Sequence, residues 1–249
     1  MKITIITVVY NGGEFLESCI RSVLSQTYRN IEYIIIDGGS TDAGLSIIDK
    51  YKDKISIVVS EKDRGIYDAM NKGISLADGD VIGFLNSDDF FADDDVVADI
   101  AAAFSEPEVD VVYGDLWYVS RRDPQKVIRK WQSKPFSRKA MDWGWMPAHP
   151  TFYARSRVYK KYGIYDLKFK SAADYELMLR FLYLNLSKSV YLCRVFVKMR
   201  MGGVSNHSVR NRLLATMNDQ RAMQNNGIRW SWLKILFKPL RKINQYFNF

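Results

Sequence analysis

The chain has 249 residues, 47% of them hydrophobic and 26% charged, which suits one large or two-lobed globular domain and excludes a disordered, collagenous or low-complexity chain. Its formal charge of +8 is divided unevenly: residues 1–120 carry 9 Lys/Arg against 22 Asp/Glu, a net of −13, and residues 121–249 carry 27 against 6, a net of +21. An acidic half suits a cation, and a basic half suits phosphates, an anionic membrane surface or nucleic acid.

Ile3 to Val9 is a β-branched run and predicts the first strand. The start at Met1-Lys2-Ile3-Thr4 has no small-residue cleavage site and does not read as a signal peptide. No apolar run approaches the ~20 residues of a membrane span. Asn11-Gly-Gly-Glu14 has the form of a capping box, and Leu16, Ile20, Val23 and Leu24 follow at helical spacing. Tyr33 to Ile36 predicts a second strand, with Leu45 and Ile48 on the helix after it. Ile55 to Val59 predicts a third, followed by a helix through Ile66, Met70 and Ile74. Val81 to Leu85 predicts a fourth, before a helix through Val96, Val97, Ile100 and Phe104. This alternation argues for an α/β fold with a doubly wound, mostly parallel sheet. Past Asp115 the pattern turns irregular and aromatic, with Trp117, Trp131, Trp143 and Trp145 among basic residues. No Pro/Gly/Ser linker separates the halves, so residues 116–228 are expected as a second lobe packed on the sheet of residues 1–115. Within that lobe Asp174 to Leu184 and Val209 to Asn225 read as helices, and Ser189 to Met199 as a strand. Cys19 and Cys193, far apart among apolar neighbours, argue against a disulfide framework or zinc site and for a reducing cytosol.

Open α/β sheets bind ligands beyond the carboxyl ends of their strands. Three such ends are polar here: Tyr10-Asn11, Asp37-Gly-Gly-Ser-Thr-Asp42, and Asn86-Ser-Asp88-Asp89. Each alone is also ordinary turn chemistry; together they point to a ligand. The adjacent carboxylates of Asp88 and Asp89 need a cation or hydrogen-bond donors beside them, and a hard divalent cation would also accept diphosphate oxygens. Neither G-x-G-x-x-G after the first strand nor G-x-x-x-x-G-K-[ST] anywhere is present, which disfavours a dinucleotide dehydrogenase or a P-loop NTPase.

At this point the stretch TVVYNGGEFLESCIRSVLSQTYRNIEYIIIDGGSTD, followed by DRGIYDAMNKGISLADGDVIGFLNSDD, resembles the nucleotide-binding half of family 2 glycosyltransferases of the GT-A fold. The later stretch AHPTFYARSRVYKKYGIYDLKFKSAADYELMLR resembles the acceptor half of bacterial members, so the likeness runs from about Ile3 to Ser205. It implies a GT-A, Rossmann-like sheet with an acceptor-binding lobe. The implied reaction is inverting transfer of a sugar from a nucleotide sugar, with Mn or Mg on the leaving diphosphate. By resemblance Tyr10 and Asp37 hold a uracil base, one by stacking and one by hydrogen bonding, with Asn11 beside them. Asp68 falls in a segment that approaches the donor, although Met70 stands where a basic residue is common. Asn86, Ser87 and Asp88 occupy the family's Asp-x-Asp motif, with Asn86 replacing its first aspartate, and Asp88 and the adjacent Asp89 are the residues expected to hold the metal. Asp174 stands at the place of the catalytic base, with Ala173 replacing a preceding acid; the other reading has it capping a helix that begins at Tyr175. His149 is placed near the donor diphosphate or the acceptor, and His207 either contacts phosphate or starts a helix.

The Q-x-x-R-W motif of processive synthases is absent, so transfer of a single sugar is expected, from a UDP-sugar to a lipid-linked glycan in surface polysaccharide (O-antigen or capsule) biosynthesis. The expected place is the cytoplasm, peripheral at the inner membrane, with no nucleic-acid partner and a homo-oligomer left open. The rivals are a nucleotidyltransferase, which would want a basic Gly-rich loop after the first strand, and a nucleic-acid-binding protein, suggested by the charge of the second half. Wound as a helix, residues 229–249 would set Lys234, Lys238, Arg241 and Lys242 opposite Leu233, Leu236, Phe237, Leu240 and Phe247, with Pro239 as an interruption. That pattern suits an anionic membrane surface, or packing on the protein or a second subunit.

Overall fold

The β-branched run at the start of the chain forms β1 (Ile3–Val9), buried along its whole length. Alternate side chains of a strand point to opposite faces: Ile3, Ile5 and Val9 enter one hydrophobic core, Ile6 and Val8 the other. A strand buried on both faces belongs in a sheet covered by helices on both sides. The next elements supply that arrangement: α1 (Gly13–Leu24), β2 (Ile31–Asp37), α2 (Gly44–Tyr51), β3 (Ile57–Ser60), α3 (Ile66–Leu76) and β4 (Val81–Phe84). β1 pairs in parallel with β2 and β4, and β2 in parallel with β3, giving the order β3-β2-β1-β4. Helices α1 and α2 cover the face that holds Ile3 and Ile5, while α3 covers the face that holds Ile6 and Val8.

The rest of the chain, from Phe90 on, continues the same sheet. It comprises β5 (Phe90–Phe91), α4 (Val96–Ala103), β6 (Val111–Val119), β7 (Val127–Trp131), α5 (Arg138–Asp142), β8 (Tyr153–Arg155), α6 (Ser156–Tyr162), α7 (Ala173–Met178), β9 (Ser189–Arg200) and α8 (Val209–Asn225). β8 bridges β4 and β6, antiparallel to both; β9 runs parallel to β6, and β5 and β7 pair antiparallel with β9 and β6. The joint between the halves is tight. A Cβ at Gly83 of β4 would come within 2.0 Å of the Tyr153 ring of β8. Gly83→Ala is therefore expected to destabilise the protein by about 1–3 kcal/mol through overpacking; a denaturant midpoint equal to that of the wild type would contradict this.

This computed structural model describes residues 1–202 and 209–229 together with 231, 232 and 234. His207 and the tail residues Leu233, Leu236, Phe237, Lys238, Pro239, Leu240, Arg241, Lys242 and Phe247 lie outside the described residues. Lys234 is described, and it pairs with Asp142 at the end of α5, over the Trp143 ring. Among the described residues no helix is long and apolar enough to cross a membrane.

Three local expectations differ from the structure. No capping box forms at α1: Gly12 holds the cap position without a side-chain bond, because the Asn11 side chain turns to another loop. Asp174 does not cap a helix starting at Tyr175, since α7 begins one residue before Asp174 and Ala172 holds the cap position. The expected helix from Asp174 to Leu184 is divided, with the α-helical turns ending at Met178 and a π-helical stretch running from Leu179 to Leu184.

Candidate active site

The chain leaves β1 toward β2 on one side, and β4 returns on the other, so the strand order reverses between these neighbours. Such a switch point opens a crevice beyond the carboxyl ends of the strands. A cleft of about 2310 Å³ lies there, larger than the ~300–1,000 Å³ of a pocket for one small ligand. Tyr10, Asn11, Asp68 and Asn86 to Asp88 line it from the first part of the chain, and Trp117, Trp131, Trp145, His149 and Asp174 line it from the second.

From the first part Tyr10 projects into the cleft, 67% exposed. Gly38 leaves room behind it: a Cβ there would meet Asp63 Oδ2 at 2.4 Å and the Tyr10 ring at 3.5 Å. Asn11 adopts a left-handed φ of 48°, which Asn tolerates better than most residues. Its N–H donates to Ser40 Oγ at 2.8 Å, and its Oδ1 accepts the Thr41 N–H at 2.9 Å. Asp37 is fully buried and does not line the cleft. Its carboxylate accepts the Gly39 and Ser40 N–H groups, each at 3.1 Å, and the Ser60 hydroxyl at 2.7 Å. Asp37 thus shapes the turn that holds Asn11. Asp68 accepts the Arg64 N–H at 3.0 Å and its guanidinium at 2.8 Å. That guanidinium holds the Asp68 carboxyl below its usual range and stands at the cleft rim, whereas Met70 is buried.

At the end of β4, Ser87 packs so closely on the loop after β1 that a Cβ on Gly12 would lie 3.0 Å from its Oγ. Asp88 faces the cleft half-buried, and burial pushes its carboxyl above the usual range despite Arg121 and Arg200 nearby. Asp89 is fully buried off the cleft, and burial and the Asp88 charge push it well above that range. Asn86 Nδ2 donates to Asp89 Oδ2 at 3.1 Å. Asn86 Oδ1 and Asp89 Oδ1 are buried with no hydrogen-bond partner among the described residues. Arg200, at the end of β9, is buried between the Phe15 and Phe90 rings. It donates to the Asp88 carbonyl at 2.7 Å and to Ser18 Oγ at 3.0 Å. Among the described residues no group of three or more His, Cys, Asp and Glu forms a preformed metal cage. A single cleft-facing carboxylate still fits Mg or Mn, which such sites hold through one or two carboxylates and the substrate's phosphates. A cation there would also favour the ionised form that burial disfavours at Asp88.

In the second part Asp174 is held from both sides. Tyr67 donates its hydroxyl to Asp174 Oδ1 at 3.2 Å, and His149 Nδ1 lies 3.4 Å from Oδ2. Burial and the Asp174 charge push the Tyr67 phenol well above its usual range, so it remains a donor. Trp131 packs edge-on against the His149 ring.

The family model of glycosyl transferase family 2 matches residues 4–164. The chain belongs to that family. An uncharacterized glycosyltransferase of Mycobacterium tuberculosis is 36% identical over 180 residues, 72% of this chain and 68% of that one. A PGL/p-HBAD biosynthesis glycosyltransferase of Mycobacterium bovis is 30% identical over 181 residues, 71% of this chain and 68% of that one. Among solved structures, S. aureus TarS 1–349 in complex with UDP-GlcNAc superposes with a TM-score of 0.70 at 20% identity, over 97% of this chain and 72% of that one. The mannosyltransferase PcManGT of Pyrobaculum calidifontis, in complex with GDP-Man and Mn2+, gives 0.66 at 14% identity, over 96% and 68%. These likenesses show the GT-A fold.

In this glycosyltransferase the cleft gathers Tyr10, Asn11, Asp68, Asn86, Ser87, Asp88, His149 and Asp174, and it leaves Asp37 and Asp89 buried outside. Sequence reasoning missed Tyr67 and Arg200. Tyr67 lies beside Asp68 on α3, where an aromatic reads as core, and it meets Asp174 from 107 positions away. Arg200 ends a strand that already carries Arg194 and Lys198, so its charge stands out only once the fold buries it under Asp88.

Proposed function

We propose that this glycosyltransferase moves a single sugar from a UDP-sugar to a hydroxyl of a saccharide acceptor, with inversion, in the building of a lipid-linked surface glycan. The observation that carries the reading is that Asp88, at the switch point, and Asp174, held by Tyr67 and His149, line one cleft. Tyr10 offers a ring for the base to stack on, Asn11 and Asp68 lie along the donor, and Asn86 and Ser87 lie toward ribose and diphosphate. Mg or Mn, held by Asp88 and the diphosphate oxygens, would supply neutralising charge to the leaving group. Asp174 accepts the proton of the acceptor hydroxyl as that oxygen bonds to the anomeric carbon. The bond from that carbon to the diphosphate oxygen breaks, and its electron pair leaves with UDP. Attack from the side opposite the diphosphate inverts the anomeric configuration.

The complexes of TarS with UDP and UDP-GlcNAc support a UDP-linked donor, and the Mn2+ complex of PcManGT supports a metal. The relative named for PGL/p-HBAD biosynthesis supports a role in making a larger conjugate. A lipid-linked acceptor suits a basic tail at residues 229–249 lying on anionic lipid at the cytoplasmic face, with Lys234 tying its start to α5. The test is a panel of UDP- and GDP-sugars, with and without Mn. One UDP-sugar is expected to release its nucleotide in a metal-dependent way. No binding of UDP by calorimetry in the presence of Mn would overturn the reading.

A further inference from the structure

The cations lining the cleft are not all neutralised. Arg64 pairs with Asp68, Arg121 with Glu14, and Arg194 with Asp93 and Asp99. Lys134 and Lys170, on the acceptor-side wall, have no carboxylate partner among the described residues. The Lys134 ammonium lies 5.5 Å from the centre of the Trp145 ring. That pair is anchored by buried Tyr113, whose hydroxyl donates to the Lys134 carbonyl at 2.9 Å and whose ring meets Trp145 edge-on at 6.4 Å. Lys170 is exposed and held at φ 44°, ψ −110°, in the turn that leads into α7, four residues before Asp174. A side chain with a Cβ disfavours that backbone region, and such outliers gather at ligand sites.

A half-buried indole offers a flat, apolar face to the C–H side of a pyranose ring. A lysine is a compact, mobile point charge that meets anions without demanding a fixed geometry. The cleft volume leaves room for a second ligand beside a nucleotide sugar. We propose that the acceptor-side wall recognises a saccharide carrying negative charge, as carboxylate or phosphate, with a sugar ring on Trp145 and the anionic groups met by Lys134 and Lys170. This rests on the glycosyl-transfer reading of the same cleft and narrows its acceptor from any sugar hydroxyl to an anionic glycan.

The test uses the full-length protein saturated with UDP and Mn, so that the donor side is filled. Calorimetry then compares trigalacturonate with neutral maltotriose, and glucose 6-phosphate with glucose; the two pairs separate a carboxylate from a phosphate preference. At low salt the charged member of at least one pair is expected to bind about five- to tenfold tighter, as two partly exposed ion pairs allow. Roughly 1 M NaCl should abolish the preference, because the screening length falls to ~3 Å. The double variant Lys134→Met/Lys170→Met is expected to lose the preference and keep UDP binding, and Trp145→Leu to weaken charged and neutral probes alike. No preference in the wild type, including no binding by either charged probe, overturns the proposal, as does a preference that survives in the double variant. Failure of UDP itself to bind would overturn the donor reading, and this inference with it.

Discussion

Asp174→Asn is expected to leave donor binding intact and to lower transfer roughly 100- to 10,000-fold, the range for loss of a general base. The amide is nearly isosteric, and its carbonyl oxygen can still accept the Tyr67 hydroxyl that now reaches Asp174 Oδ1 at 3.2 Å. What it cannot do is take up the acceptor's proton. Calorimetry with UDP and a rate assay on the same preparation separate the two properties. Transfer within about threefold of the wild type would remove Asp174 from the role of base. His149 provides a second reading of the same group. Its Nδ1 lies 3.4 Å from Oδ2, so His149→Ala is expected to reduce turnover more than thermal stability. An unchanged rate with a large fall in melting temperature would leave the imidazole a packing role against Trp131.

Asp88→Ala is expected to weaken the metal-dependent part of UDP binding by at least about 10- to 100-fold, since even an outer-shell partner of a metal ligand is worth that much. The fold should survive the change. Arg200 is held by the Asp88 backbone carbonyl, which alanine keeps, and by Ser18. Removing a half-buried carboxylate whose ionised form burial disfavours also relieves the like charge beside Asp89. UDP titrations with and without Mn on both proteins provide the measurement. Equal enhancement by Mn in both would leave Asp88 without a role at the diphosphate. A mutant that binds UDP normally without Mn and gains nothing from it is the outcome the cleft geometry supports.

The sequence by itself determined the parallel half of the sheet. Strands β1 and β2 are β-branched and buried almost throughout, so Ile3 to Val9 and Tyr33 to Ile36 could be read from local pattern, and the polar runs after them marked the strand ends. Periodicity also located α3 and α4, because one face of each packs on the sheet. Position in a motif, however, does not say which way a side chain faces. Asp37 and Asp89 lie at strand ends beside Tyr10 and Asp88, yet backbone N–H groups capture the first and burial encloses the second. Asn11 looked like a helix cap until the loop after β2 supplied Thr41 as a donor. The second half was less legible because its strands join the sheet out of chain order, with β8 entering between β4 and β6 and β9 lying outside β6. Only that topology brings Tyr67 of α3 and His149 to Asp174, and Arg200 of β9 under Asp88. Local sequence specifies local structure through periodicity and turn chemistry. Contacts between residues a hundred or more positions apart depend on which strands become neighbours, and that is decided by packing across the whole sheet.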